Sequence, residues 1–498
     1  MHTSSIVTAP ERKSGLLYWA QRVVEECDNA SRDFAPDPVH DLRVAIRRCR
    51  SIADGFLSVD PDPGWKQMKR MAKRLFAGLG DLRDVQVMME WVEKLSSTDD
   101  SARPILLLQL QVRETELKAA AQQELGRFDR KRWLSLNTHL STRAEQISPG
   151  SSVFQLLALD RWNEARELHR KALRNRSGNA YHQLRIGFKR LRYTVENFLP
   201  ALHDKWAKDL RELQDALGEV HDFDVLWALL RMHPEIAVEV RQQWRATIDG
   251  ERRRRLAFYR ERMVGRQSLW STWRAELPAG EALERGRIDK LRLWASLLDP
   301  QFEHASRVSS LALRLYDGLA EQKIIESESK QRALLEAAAL LHEIGRSKQD
   351  AGHRKRGFRM VQKISPPPGW SAEDMRAVAI IARYHRGRIA PASHKMFQGM
   401  PAAMRKQVLR FAGILRLANA LQITSQEQDA QPVVTAKDGV LVVKVPALDL
   451  HVGPTGERLA QAKYLLEAMY GVAIKFESIA APMRTGRPPH RTERAQLR

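Results

Sequence analysis

His40, Arg43, Arg47 and Arg50 recur at i, i+3, i+7 and i+10, which lines one imidazole and three guanidiniums along a single helical face. The segment 182–193, HQLRIGFKRLRY, repeats the row with His182, Arg185, Lys189 and Arg192. Both copies obey H-x-L-R-x-x-x-[KR]-R-x-R, so Arg48 and Arg190 also correspond. Guanidinium presents a planar fork of donors that matches phosphate oxygens, and cations stacked a turn apart can meet successive charges of a linear anion. Lys69, Arg70, Lys73 and Arg74 follow the first copy, and Lys208 and Arg211 follow the second, extending each basic surface. Base readout recruits aromatic platforms or Asn/Gln, and the stripes offer neither, so nucleic acid is the weaker candidate polyanion. A second constellation is His304 with the doublet His342-Glu343, followed by His353, His385 and His394. Imidazoles and a carboxylate brought together from separate helices could ligate a divalent metal such as Mg²⁺ or Mn²⁺ and activate water on a phosphoester.

These side chains need helices to position them. Opposite each stripe the residues are apolar: Leu42, Ile46 and Cys49 in one copy, Leu184, Phe188 and Leu191 in the other. That pattern predicts two amphipathic helices, each burying one side and presenting cations on the other. The repeat continues into Leu79-Gly80-Asp81-Leu82-Arg83-Asp84 and Leu217-Gly218-Glu219-Val220-His221-Asp222. The spacing between copies is 142 residues from His40 to His182 and 138 from Leu79 to Leu217, so a helical unit is duplicated. The duplication also reads His221-Asp222 as a repeat loop, the counterpart of Arg83-Asp84, and not as a metal-binding pair. Asp84 and Asp222 are expected to pair with arginines and hold them in place.

The whole chain has 498 residues, 82 Lys+Arg against 60 Asp+Glu, and a formal charge of +22, an excess that points to a polyanionic partner. Cys27 and Cys49 sit in no metal or redox spacing, which fits a reducing cytoplasm. Residues 1–13 contain no apolar stretch of the signal-peptide kind. The apolar run near Ala333–Leu341 is short and broken by Glu336, so no membrane span is expected. Breakers divide the rest: a duplicated helical domain over 14–265, a linker over 266–286 with Pro278, and a second helical region over 287–428. After them come an α/β piece over 432–477, with a hairpin signal at Asp438-Gly439, and a basic tail over 478–498.

The duplicated stripe with its following L-G-x-x-[RH]-D loop resembles the CHAD domain, a histidine-containing α-helical domain. The resemblance implies a bundle of two pseudo-symmetric four-helix halves that binds inorganic polyphosphate in a basic central groove, through His40, Arg43, Arg47, Arg48, Arg50, His182, Arg185, Lys189, Arg190 and Arg192. The later pattern H-x-x-R-V…LLHEIG…HRKRG…ARYHR…ILRLANALQ is similar to the HD-type helical domain on the C-terminal side of exopolyphosphatase and guanosine pentaphosphate phosphohydrolase proteins. The expected architecture is therefore mainly α: the duplicated antiparallel bundle, then an HD-type all-α domain with a small α/β appendage. HD domains ligate metal through H…HD…D. Here His304 and His342 fit, Glu343 replaces the aspartate, Asn419 and Gln422 stand where the last aspartate is expected, and Arg356 stands where a further histidine is often found. A neutral amide binds a hard cation less strongly than a carboxylate. The expectation is a polyphosphate-binding protein with a non-catalytic HD-like domain, located in the cytoplasm with polyphosphate granules as its site of action. The alternative is a metal-dependent HD-type phosphohydrolase acting on polyphosphate or a phosphorylated nucleotide.

Overall fold

The computed structural model describes residues 15–347, 351–391, 393–424, 433–437, 440–446 and 453–479. The expected N-terminal segment 1–13, the turn at Asp438-Gly439 and nearly all of the basic tail lie outside them. The chain divides into two compact units, 1–294 and 295–498.

The first unit begins with α1 (Leu16–Ala30), α2 (Pro36–Phe56), α3 (Pro63–Gly78), α4 (Gly80–Leu95), α5 (Ala102–Gly126) and α6 (Arg130–Ala144). The second half follows as α7 (Ser152–Asn175), α8 (Gly178–Phe198), α9 (Pro200–Arg231), α10 (Val238–Met263) and α11 (Leu269–Glu276). The pairings repeat: α1 on α2 as α7 on α8, α2 on α3 as α8 on α9, α4 on α5 as α9 on α10, and α1 on α6 as α7 on α11. Where the first half breaks its helix at Leu79-Gly80, the second runs straight through Gly218 as α9. The segment 266–286 is thus not a linker. It supplies α11, whose Trp270 and Trp273 lie fully buried in the main core, and the start of α12 (Gly280–Leu298).

The two stripe helices form because their apolar positions hold period 3.6. Val39, Leu42, Ile46, Cys49, Ala53 and Phe56 of α2 are buried, as are Tyr181, Leu184, Phe188, Leu191, Val195 and Phe198 of α8. Each fully buried Leu or Phe contributes about 1.5–3 kcal/mol. Pro36 starts α2, and the Ser177 hydroxyl caps α8 by accepting from the Ala180 N–H at 3.2 Å. The helices pack on each other, and the equivalent Phe56 and Phe198 rings meet edge to face at 5.5 Å. The Phe198 ring occupies the space a side chain on Gly55 would need.

Two apolar clusters fill this unit, one around α1–α3 and α6–α8, the other around α4, α5 and the adjoining parts of α9 and α10. Along α4 the change of cluster falls between Leu82 and Met88, and along α9 between Val220 and Phe223. Arg83-Asp84 and His221-Asp222 therefore sit on the seam between the two cores.

The second unit continues with α13 (Phe302–Glu321), α14 (Ser329–Leu341), a 3₁₀ turn Ile344–Ser347, α15 (His353–Val361), α16 (Ala372–Arg383) and α17 (Ala402–Thr424). Strands β1 (Val433–Lys437) and β2 (Val440–Pro446), then α18 (Gly453–Tyr470) and β3 (Ala473–Ile479), complete it. β1 pairs antiparallel with β2, and β2 pairs parallel with β3 across α18. α14 and α16 are apolar on nearly every side because α13, α15 and α17 enclose them. Among the described residues no helix is long and apolar enough to cross a membrane.

Candidate functional site

The first site grows out of the seam. Arg43 leaves the polar face of α2, donates from Nη1 to the Leu79 carbonyl at 2.7 Å and lies 4.2 Å from the centre of the Phe76 ring. Arg50 flanks the same ring at 5.0 Å, while Arg47 and Arg192 flank Tyr193 at 5.7 and 5.8 Å. Two aromatic shelves thus orient four guanidiniums without neutralising them. The repeat is visible at the glycines too: the guanidinium of Arg43 passes over Gly80 and that of Arg185 over Gly218.

Charge shows that the two stripes converge. Lys189 is held down to about 7, first by burial and then by Arg185, Arg47 and Arg43, against the partial relief of Asp222. Arg47 is the repeat equivalent of Lys189, so matching positions of the two halves meet. Burial, with Arg47, Arg83 and Arg50 as neighbours, lowers Arg43 to about 10, and burial also depresses Arg47 and Arg50. His40 is lowered by burial and Arg83, and His182 by burial and His221, whose ring centre lies 4.6 Å away. Half-buried cations crowded together raise the free energy of the ligand-free protein and favour an incoming anion.

Among the described residues, Arg43, Arg47, Arg50, Arg185 and Lys189 have no carboxylate within ion-pair distance, and the buried Nε of Arg185 and Nδ1 of His182 have no hydrogen-bond partner. Asp84 and Asp222 do not form the arginine pairs expected of them. Burial raises the Asp222 carboxyl against the opposing influence of Arg185 and of Trp91, from which it accepts a hydrogen bond, and Asp84 adds to the rise.

The remaining predicted residues lie apart from this inner belt. Arg48, one position round the helix from Arg47, pairs across the half-to-half contact with Glu196 and lies 5.3 Å from the Trp19 ring. Arg190 pairs with Glu164, and Lys69 with Asp54, which also holds Arg161 at 2.9 Å. Arg74 reaches Glu124 at 3.4 Å and Lys208 reaches Glu212 at 4.0 Å, while Arg70, Lys73 and Arg211 are exposed.

The second site lies at the end of α14. His342, Glu343 and His385 are buried, and each imidazole donates from Nδ1 to a backbone carbonyl: His342 to Ala339 at 2.6 Å, His385 to Ala382 at 2.7 Å. That fixes the tautomer and turns a bare Nε2 lone pair inward, where neither has a hydrogen-bond partner. These Nε2 atoms stand 3.8 and 3.6 Å from Glu343 Oε1, and His353 Nε2 stands 3.3 Å from Oε2. Burial holds His342 down to about 3 and His385 well below the usual range, and burial raises Glu343 against Arg346, whose Nε lies 2.9 Å from Oε2. His304 turns its Nε2 to the Asn419 side-chain oxygen at 3.0 Å. Two triads of metal-ligand type share the carboxylate: His304, His342, Glu343 and Glu343, His353, His385. His304, His342 and Glu343 are thus brought together, joined by His353 and His385 of the same constellation. His353 occupies the place where Arg356 was expected to stand in, while Arg356 donates to the Gly345 carbonyl at 2.8 Å.

The fold and the two clusters define a mainly helical chain: a duplicated bundle around an inner cationic belt, then a smaller helical unit around a histidine–glutamate core. Residues 16–231 match the CHAD domain family, and residues 295–448 match domain III of the Ppx/GppA phosphatase family, so the chain carries a CHAD domain followed by a Ppx/GppA domain III. A similar solved structure is the crystal structure of the CHAD domain from the plant Ricinus communis. It is 22% identical, with coverage of 54% of this chain and 90% of that one, at a TM-score of 0.37.

Proposed function

We propose that the chain binds inorganic polyphosphate along the inner belt of its first unit. The observation that carries this is the convergence of Arg43, Arg47, Arg185 and Lys189 from both repeats with no carboxylate at ion-pair distance among the described residues. A polymer of phosphates supplies the missing counter-charge along a line, and the aromatic rings present are covered by guanidiniums rather than open for base stacking. The cytoplasm and its polyphosphate granules are the corresponding location. Competition at about 0.15 M salt tests the ligand class. Long-chain polyphosphate is expected to displace both single-stranded and duplex DNA at equal phosphate concentration, and DNA that resists displacement would sink the reading in favour of nucleic acid.

A second reading is favoured by the buried Nε2 lone pairs of His342 and His385 beside Glu343. Neutral imidazoles whose Nδ1–H groups are already engaged are prepared ligands, and a nitrogen-rich set suits a borderline metal such as Zn²⁺, Fe²⁺ or Ni²⁺ better than the harder Mg²⁺ and Mn²⁺. Such a metal supplies Lewis acidity toward a phosphoester. The chain's own residues would orient it, with Ala339 and Ala382 carbonyls fixing the rings. This is the metal-dependent phosphohydrolase alternative to a non-catalytic domain. Elemental analysis of the purified chain is expected to find about one equivalent of transition metal in wild type and a loss of most of it in His385→Ala. Absence of metal from wild type after exposure to each of the three ions would remove this reading.

A further inference from the structure

We infer that the second unit holds a separate site for a phosphate group, in the cavity enclosed by the end of α16, α17 and α18. Three local patterns build it. On α17, Arg416, Asn419 and Ala420 stand at i, i+3 and i+4, and on α18 Arg458, Gln461 and Ala462 repeat that spacing. The helices pack together, so two rows of arginine, amide and small side chain line one cavity of about 430 Å³. The third wall is the turn after α16. Gly387, at φ 81°, bends the chain there, and the Arg354 guanidinium occupies the space a side chain at that position would need.

The cations are positioned, and one of them is rigidly so. Arg416 donates from Nη2 to the carbonyls of Tyr384 at 3.1 Å and Gly387 at 2.6 Å, which anchors its guanidinium at the cavity wall. Arg458 is exposed on α18, and among the described residues neither arginine has a carboxylate within ion-pair distance. Among the described residues no acidic side chain lines the cavity. His385 also lines it, fully buried, but its N–H is engaged by the Ala382 carbonyl and its Nε2 lone pair faces Glu343 at 3.6 Å, so the arginines and not this ring hold an anion. Fixed guanidinium, mobile guanidinium and the exposed Gln461 amide together suit a compact, multiply charged oxyanion, which guanidinium recognises through paired N–H···O contacts. Among the described residues no ring but His385 lines the walls, so a nucleobase finds no stacking platform there. The ligand class is a phosphate group presented by its charge: the end of a phosphate chain, or free pyrophosphate.

This site does not depend on the belt, and the test separates the two. Pyrophosphate is titrated calorimetrically into the full chain carrying Arg43→Ala and Arg185→Ala, which weakens the belt. One saturable site is expected to remain. Arg458→Met and, separately, Gln461→Glu are expected to weaken it by about tenfold or more, the loss of roughly one charge-assisted contact. Both positions are exposed on α18, so the variants should fold, and an unchanged melting temperature verifies this. Tripolyphosphate and ADP distinguish the sources. Tripolyphosphate binding at least as well as pyrophosphate supports a chain end, and ADP binding about tenfold tighter would overturn a site blind to bases. The inference also fails if the belt variant shows no pyrophosphate site, or if both α18 variants bind like their parent.

Discussion

Alanine at Arg43 and Arg185 together is expected to lower affinity for long-chain polyphosphate about 100-fold at physiological salt while leaving the helical content intact. A charge-assisted contact to an anion contributes roughly 1.5–3 kcal/mol, so losing two such contacts costs about 3 kcal/mol or more. The two residues are repeat equivalents, each carried over the glycine of its own repeat, and neither forms a direct ion pair among the described residues, although Asp84 acts on Arg43 and Arg185 on Asp222 through space. Binding measured between about 0.05 and 0.3 M salt should show the slope of log affinity against log salt falling by about one for each contact removed. Alanine at the exposed Arg70 and Lys73 supplies the contrast, since those cations lie outside the belt and should change affinity several-fold at most. Equal slopes and equal affinity for the Arg43/Arg185 variant and wild type would exclude the belt as the phosphate site. Each single variant carries further information: similar losses from Arg43→Ala and Arg185→Ala follow only if one chain engages both halves.

The division between inner and outer cations could not be read along the chain, whereas the stripes themselves could. H-x-L-R-x-x-x-[KR]-R-x-R encodes both faces of one helix, and its recurrence encodes the duplication, so mainly helical architecture and the two cation rows follow from periodicity. Arg48 shows where periodicity stops. It sits next to Arg47 in the motif, yet its partner Glu196 is 148 residues away, a contact created only when α2 meets α8. The Phe76 shelf was equally out of reach, because it comes from α3, a different helix from the arginines it holds. Segment 266–286 failed for a different reason. Trp270 and Trp273 share one helical face, a core signal that Pro278 and nearby glycines outweighed. In the second unit, the burial of His385, already part of the histidine constellation, was legible too. The residue follows a helix apolar on almost every side, where a solvated imidazole has no room, and burial of that kind forces a lone pair to find a purpose.

Methionine at Lys189 should move stability and binding in opposite directions. The ammonium is enclosed by Arg185 on its own helix, by Arg43 and Arg47 of α2 and by Asp222 of α9, so its charge is costly and its value falls to about 7. An unfolded chain keeps this lysine protonated up to about 10.4. Between roughly pH 7 and 10 the unfolded state therefore binds the extra proton, and ligand-free stability rises with pH across that window, while below pH 7 the full penalty of burying the charge is present. Lys189→Met removes the penalty, so its melting temperature in the absence of ligand should exceed that of wild type at pH 6, with the gain shrinking by pH 9. Polyphosphate reverses the balance. Its charge stabilises the protonated amine, so binding above pH 7 takes up a proton and affinity falls as pH rises from 7 to 9. Internal phosphates of a long chain stay ionised throughout this range, and His40, His182 and His221, all lowered from 6.5, are already neutral, so the slope belongs to Lys189. Lys189→Met should bind about tenfold more weakly than wild type at pH 7, approach it at pH 9 and show no slope between those values, whereas Lys189→Arg should bind well at every pH. A wild-type affinity that stays flat from pH 7 to 9, or a methionine variant that keeps the slope, would show that the belt does not use this amine. The burial that makes Lys189 a liability to the empty bundle is the same burial that makes its charge strong toward phosphate.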